Sequence, residues 1–296
     1  STVSMQASAV WNKDEHIRSL LSVNSHNYKG GMVYRFSPES SVGFQYIGSY
    51  GRTTVCRRDT ISMIPNIGVP SFMNTDGSND DNVTSHHLNF YYNTKIGSNW
   101  SLNTCADYVN KLQDGAKELL EHDYVSAEKA VAYTQKSRWN IAAANIHASY
   151  STEKFGNIAM GYDFSHSWGK DNILYKYSDY IGCTSNRETK SSLFVKYGRQ
   201  MGDFNFETGL RYEYIYSWQD KWNSEEKDTH GTHGFLPSLS IGHQKGMLMQ
   251  NLNAYIETQR PDFTDMNDNM AYQNRYNMSL GNPCLRASTT YCLNYT

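Results

Sequence analysis

Residues 204–218 read FNFETGLRYEYIYSW, from Phe204 to Trp218. Every second position, Phe204, Phe206, Leu210, Tyr212, Tyr214, Tyr216 and Trp218, is apolar or aromatic, with Thr208 the one break in the run. The alternate set is Asn205, Glu207, Gly209, Arg211, Glu213, Ile215 and Ser217. A period of two with this contrast defines a strand with one greasy face and one wet, charged face. It is longer than an ordinary soluble strand. An apolar face ending in Tyr and Trp suits lipid with an interfacial aromatic belt, while Glu, Arg and Glu suit a water-filled lumen.

The same alternation recurs along the chain. Val42, Phe44, Tyr46 and Tyr50 oppose Gly43, Gln45 and Ser49; Leu88, Phe90 and Tyr92 oppose His87, Asn89, Asn93 and Lys95. Further on, Ala142, Ala144, Ile146 and Ala148 oppose Ala143, Asn145 and His147, and Ile158, Met160, Tyr162 and Phe164 oppose Asn157, Gly161 and Asp163. The second set in each pair is Gly, Ser, Asn and charge, a lumen's composition. These patterns predict strands at 2–11, 16–24, 29–36, 41–52, 85–97, 100–110, 138–151, 157–168, 189–200, 204–218, 234–244, 249–259 and 287–295. Tight turns are predicted at Pro38 to Ser40, Gly97 to Asn99, Glu153 to Gly156, Gly202 to Asp203 and Lys245 to Gly246. Long, irregular loops are predicted near 53–84, 112–136, 169–188, 220–232 and 260–287. Short turns on one rim and long loops on the other fit an outer-membrane barrel. A soluble sandwich or propeller would also alternate, but with shorter strands and with Tyr and Trp scattered instead of gathered at strand ends.

The fold class is therefore all-β, an antiparallel transmembrane β-barrel domain over 1–296, with short periplasmic turns and long extracellular loops. Mean hydropathy is −0.67 and net charge −2. No apolar run of about 18 residues is present to span a bilayer as a helix. Barrels hide their hydrophobicity by alternation; 23 Tyr, 11 Phe and 6 Trp beside 6 Pro carry the signal instead. A near-neutral chain lacks the basic excess that nucleic acid requires. Five cysteines without CxxC spacing indicate neither a zinc site nor a full disulfide framework; Cys284 and Cys292 could pair if their loop folds back, and free thiols are the default.

Four elements carry a family resemblance: Gly209 to Glu213 (GLRYE), Pro237 and Ser238, Arg260 and Pro261, and Gly281 to Leu285 (GNPCL). In order and spacing they resemble the barrel portion of TonB-dependent outer-membrane receptors, the outer-membrane β-barrel family typical of Bacteroidetes. After Leu285 that family usually places Pro-Glu, where this chain has Arg286 and Ala287. The motif residues Gly209, Arg211, Tyr212, Glu213, Pro237, Arg260, Pro261, Gly281, Asn282 and Pro283 are then structural. The resemblance implies energised uptake of a specific nutrient, an iron chelate, cofactor, peptide or oligosaccharide, across the outer membrane of a Gram-negative bacterium. It implies a barrel of about 22 strands closed by a plug. About 13 strands are legible here, so the plug and the last barrel strands are expected to lie outside this chain. The implied partners are outer-membrane lipid, a TonB-type energy-transducing protein acting through the plug, and a surface lipoprotein.

Site chemistry is thin. His230 and His233 lack a third ligand, and Asp76, Ser78 and Asp80 resemble the start of a calcium loop with Asp81 and His87 where Gly and Glu belong. Nothing reads as a nucleophile elbow, and no cofactor, metal or enzymatic activity is expected. Aromatic residues on the predicted outer loops, Phe72, Met73, Tyr133, Trp222, Phe263, Tyr272 and Tyr276, are candidate substrate contacts, because aromatic platforms stack sugar rings and chelates. The reading from another class is a passive or non-transporting barrel, a pore, adhesin or anchor.

Overall fold

The computed structural model describes residues 11–65, 70–123, 128–178, 181–221, 228–259, 271–274, 277–279, 281–282 and 285–296. The elements are β1 (Trp11–Ser37), β2 (Ser40–Pro65), β3 (Ser71–Ile96), β4 (Trp100–Asp123), β5 (Lys129–Thr152), β6 (Gly156–Tyr175), β7 (Ile181–Met201), β8 (Phe204–Lys221), β9 (Asp228–Lys245), β10 (Leu248–Gln259), β11 (Ala271–Asn274), β12 (Asn277–Ser279) and β13 (Ser288–Tyr295). Eleven form one antiparallel sheet in sequence order, β1 through β10 and then β13; β11 and β12 form a separate hairpin.

Among the described pairings, the large sheet shifts register only between Arg35 and Ser37. Side-chain parity therefore persists from one end of each strand to the other. The inward sequence positions of β8 are odd, and the ladder Asn89, Asp107, Ala143 and the ladder Asn145, Asp163, Ser192, Glu213 carry that face across the sheet. On β8 the greasy side is open, with Phe204 at 50% and Leu210 at 46% exposure, whereas Glu213 and Ile215 on the other face are at 7% and 6%. No second protein layer covers the greasy side among the described residues. The sheet curls, crowding its polar face inward.

The five tight turns fall where the sequence places them, at residues 38–39, 97–99, 153–155, 202–203 and 246–247. Gly97, Gly156, Gly202 and Gly246 take φ of 66°, 83°, 62° and 59°, a left-handed backbone that costs glycine nothing.

The long loops near 53–84, 112–136 and 169–188 are corrected by the structure. Their described residues lie mainly in upward continuations of β2 to β7, which reach 26 residues in β2 and β3. A strand needs only about 9–11 residues to cross the hydrocarbon. The polar runs hid this because Arg52, Arg58, Asp76 and Asp80 sit on the outer face, where lipid-facing strands are apolar. There they pair across β2 and β3, Arg52 Nη2 to Asp80 Oδ2 at 2.6 Å and Arg58 Nε to Asp76 Oδ1 at 2.5 Å. The wall has left the bilayer at that height.

The predicted strands 16–24 and 29–36 are likewise one strand, β1. The intervening Ser25 to Tyr28 pair with Gly51 to Gly48 of β2, so neighbouring backbone overrides their turn-like composition. Predicted strand 2–11 lies, except for Trp11, outside the described residues. Pro237 sits within β9 opposite Leu210, and the β9–β10 ladder ends at Ser238 and Tyr255, one position short of it. Proline has no N–H to continue that ladder.

Candidate functional site

The inner face holds two layers of chemistry. At mid-height, Arg211 reaches from β8 to Asp163 of β6 (Nη1 to Oδ2, 2.8 Å) and to Glu213 on its own strand (Nε to Oε1, 2.8 Å). Lys190 of β7 adds a second cation to Glu213 at 3.0 Å, and His147 of β5 closes on Asp163 at 2.7 Å. Ser192 accepts a further hydrogen bond from Arg211. Gly161 makes this possible, since a Cβ there would lie 2.5 Å from the His147 ring and 2.6 Å from that of Phe194. Two family-motif residues, Arg211 and Glu213, thus tie three strands together. Tyr212 of the same motif faces outward beside Phe235, ring centroids 5.0 Å apart. A smaller network links His87 and Asn89 to Asp107 at 2.8 and 2.7 Å. These two networks are mixed in sign and internally paired.

The second layer lies above the bilayer. The β11–β12 hairpin folds into the mouth, and Tyr272 is its anchor, at 4% exposure. Its hydroxyl donates to the Glu121 carboxylate (3.0 and 2.9 Å to the two oxygens), and its backbone N–H donates to the Tyr175 hydroxyl at 3.0 Å. Lys117 donates to the Tyr272 carbonyl at 3.4 Å, and Lys129 stands 4.6 Å from the ring centroid. Glu121 is fully buried. Ile61, Met73, Leu119 and Ile173 form the apolar packing of this layer.

Next to the anchor lies a cavity of about 270 Å³, lined by Arg57, Asn79, Asp81, Lys117, Tyr133 and Gln135 among others. Burial depresses the Lys117 ammonium below its ordinary pKa. Burial, followed by the Tyr175 and Asp81 charges, pushes the Tyr133 phenol up to about 12. Arg57 is held on Asp59 at 2.5 Å. The cavity offers cationic and amide donors, a carboxylate and an aromatic face, suited to a polar, ring-bearing solute.

Of the predicted aromatic contacts, the structure brings Tyr133 and Tyr272 together around Tyr175, whose ring centroid lies 4.9 Å from that of Tyr133. Both were expected on loops; Tyr133 is on β5 and Tyr272 on β11. Met73 joins the buried inner layer, but Phe72, also a strand residue, faces outward and is exposed. Trp222, Phe263 and Tyr276, and the motif residues Arg260, Pro261 and Pro283, lie outside the described residues, as does Cys284 and therefore its pairing with Cys292. Gly281 and Asn282 are described, and the Asn282 carbonyl accepts from the Leu285 N–H at 3.2 Å. His230 and His233 lie on β9 at positions of opposite parity, so they face opposite sides of the wall. Asp76 and Asp80 belong to a strand and hold arginines. Arg57, Lys117, Glu121 and Tyr175 escaped the sequence reading, although Arg57, Asp59 and Ile61 keep the inward parity and could have been found by extending it.

A strand wall with hydrocarbon-compatible outside and polar, ion-paired inside defines a transmembrane β-barrel. The chain belongs to the outer membrane protein beta-barrel family, whose model matches residues 104–296, and it resides in the outer membrane. The chain is similar to three solved receptors. The ferric yersiniabactin uptake receptor FyuA from Yersinia pestis has a TM-score of 0.48 at 9% identity, over 96% of this chain and 51% of that one. The ferric-catecholate import receptor Fiu from E. coli K12, in its closed form, has a TM-score of 0.48 at 8% identity, over 84% and 50%. The ferric citrate transporter FecA has a TM-score of 0.40 at 10% identity, over 80% and 44%. The chain thus spans about half the length of these structures. No curated protein matches the sequence.

Proposed function

We propose that this chain forms the wall and outer vestibule of a receptor that captures a specific polar nutrient and imports it with energy from a TonB-type periplasmic protein. The observation that supports the reading is the vestibule. A donor-rich cavity beside an inward-folded hairpin suits capture of a scarce solute better than free diffusion. Tyr133, with Arg57 and Lys117, would contact the solute, and Tyr272 would hold the hairpin over it. Iron chelates, cofactors, peptides and oligosaccharides all fit this donor set, and a surface lipoprotein would cap the mouth for the larger ones. The role is binding and transport, not catalysis.

The test is uptake by cells carrying the intact gene, compared with a deletion strain across single nutrients. A receptor of this kind gives saturable uptake of one solute that stops when the proton-motive force is collapsed, and the gene encodes a plug domain of roughly 120–160 residues. Uptake that persists without the force, or no plug-encoding region, would select a passive or anchoring barrel.

A further inference from the structure

On the outer wall, just above the aromatic belt, three bases gather on adjacent strands. Arg138 of β5 lies directly opposite Lys170 of β6, and Arg187 of β7 lies opposite Trp168, diagonal to Lys170. All three are exposed. Like charges placed directly opposite on neighbouring strands repel, yet neither Arg138 nor Lys170 has an ion pair among the described residues. Several other bases of this face are paired, although Arg18, directly opposite Arg58, also has no ion pair among the described residues. Lys136 is paired with Asp114 at 3.4 Å, and Arg52 and Arg58 each hold an aspartate. Asp220, opposite Ser185 on the same face, is the other acid near the patch.

The floor beneath the bases is built. Arg138, Lys170 and Arg187 line one cavity of about 690 Å³ with Tyr108, Asn140 and Trp168. Arg187 stacks 5.0 Å from the Trp218 ring centroid, and Tyr108 donates to the buried Asn140 at 2.9 Å. Below it the outer face of β5 narrows to Ala142 and Ala144, opposite Tyr108 and Ala106 on one side and His166 and Phe164 on the other. Aromatic belts sit at headgroup level, so these bases stand at the height of lipid phosphates, above a shallow apolar trough.

We propose that Arg138, Lys170 and Arg187 form a binding site for a phosphate-bearing lipid of the outer leaflet, its phosphate bridging the bases and an acyl chain lying over Ala142 and Ala144. A bridging phosphate converts the repulsion of the facing bases into attraction, since each basic residue near an anionic lipid surface adds to binding.

The test uses the full-length receptor in nanodiscs of phosphatidylethanolamine containing purified lipid A, with bound lipid counted by native mass spectrometry. The triple variant R138Q/K170Q/R187Q should retain lipid A at least about tenfold less well. R138K/R187K, which keeps the charge, should stay within about twofold, and K29Q/K95Q/K196Q, which removes three bases from inward positions, should not change retention. Equal retention by the triple variant overturns the proposal. So does equal retention of lipid A stripped of its phosphates, or full displacement by millimolar inorganic phosphate, which would make the site one for a soluble anion.

Discussion

The lower and upper halves of the same strands obey one geometry and meet different media. On β2 the outer face runs Val42, Phe44, Tyr46 and Tyr50 in the lower half, then Arg52, Thr54, Cys56 and Arg58 in the upper half, with no break in register above the first turn. The inner face changes in the opposite sense. Low in the barrel it is open and polar; high in the barrel it is packed, with Ile61, Met73 and Leu119 beside Tyr272 and Glu121 buried. Strand geometry therefore sets which side chains share a face, and the surroundings set what that face must be made of. Lipid demands apolar atoms outside only over its own thickness. Beyond it, an inward-folded hairpin demands them inside.

The hardest way to break this comparison is to place the same charge on the same face at two heights. Leu210→Arg sits on the outward face of β8 within the apolar band and should cost about 2–4 kcal/mol. Ala116→Arg occupies an exposed outward position on the upper part of β4 and should stay within about 0.5 kcal/mol. Denaturant unfolding of the two refolded receptors, with surface levels as a second readout, decides it. Equal costs would mean that the upper wall is also in lipid.

The lumen network should respond next. Arg211→Met removes the cation shared by Asp163 and Glu213. Because water reaches Asp163 and Lys190 still faces Glu213, the expected loss is about 1–3 kcal/mol, well below that of a fully buried pair. A double variant that also changes Asp163 to Asn should recover part of it, and a double-mutant cycle measures the coupling.

How much of this was legible in the chain follows the same division. From Phe204 to Trp218 the two faces differ except where Thr208 interrupts the greasy set and Ile215 the polar one, so lipid outside and water inside could be read residue by residue, and the turns at Gly97, Gly202 and Gly246 announced themselves. From Arg52 to Thr60 and from Asn74 to Asp81 both faces are largely polar, and the buried Ile61 and Met73 between them answer to the hairpin inside instead of to lipid outside. Without contrast between faces, a period of two carries no signal, and an extended strand resembles a loop. The hairpin anchor was a different failure. Tyr272 was legible as an aromatic in a long segment, but its partner Glu121 is 151 residues away, and only the curl of the sheet brings them together.

That anchor gives a sharper test of the upper half. Tyr272→Phe removes the hydroxyl that donates to Glu121 and leaves the ring in place beside Lys129. Stability should fall by about 1 kcal/mol. The hairpin should open more often, read as greater protease sensitivity within 271–279 and faster labelling of a single cysteine placed at Gln135 on the cavity wall. Sensitivity and labelling unchanged from the wild type would mean that the hairpin does not limit access.

The smallest effect belongs to the outward ion pairs of the extracellular wall. Hydrogen bonding from Arg58 holds the Asp76 carboxyl below its ordinary value of 3.8. A depressed folded-state pKa contributes stability that is complete above the unfolded value and fades as pH falls through the folded one. The pair therefore matters at neutral pH and is lost in strong acid. Both side chains are open to water, so screening reduces what remains. Asp76→Asn should leave the unfolding midpoint nearly unchanged at neutral pH and flatten its decline only below about pH 4. A large loss at neutral pH would place this pair in a low-dielectric setting, and the boundary between lipid and water would have to move up the wall to include it.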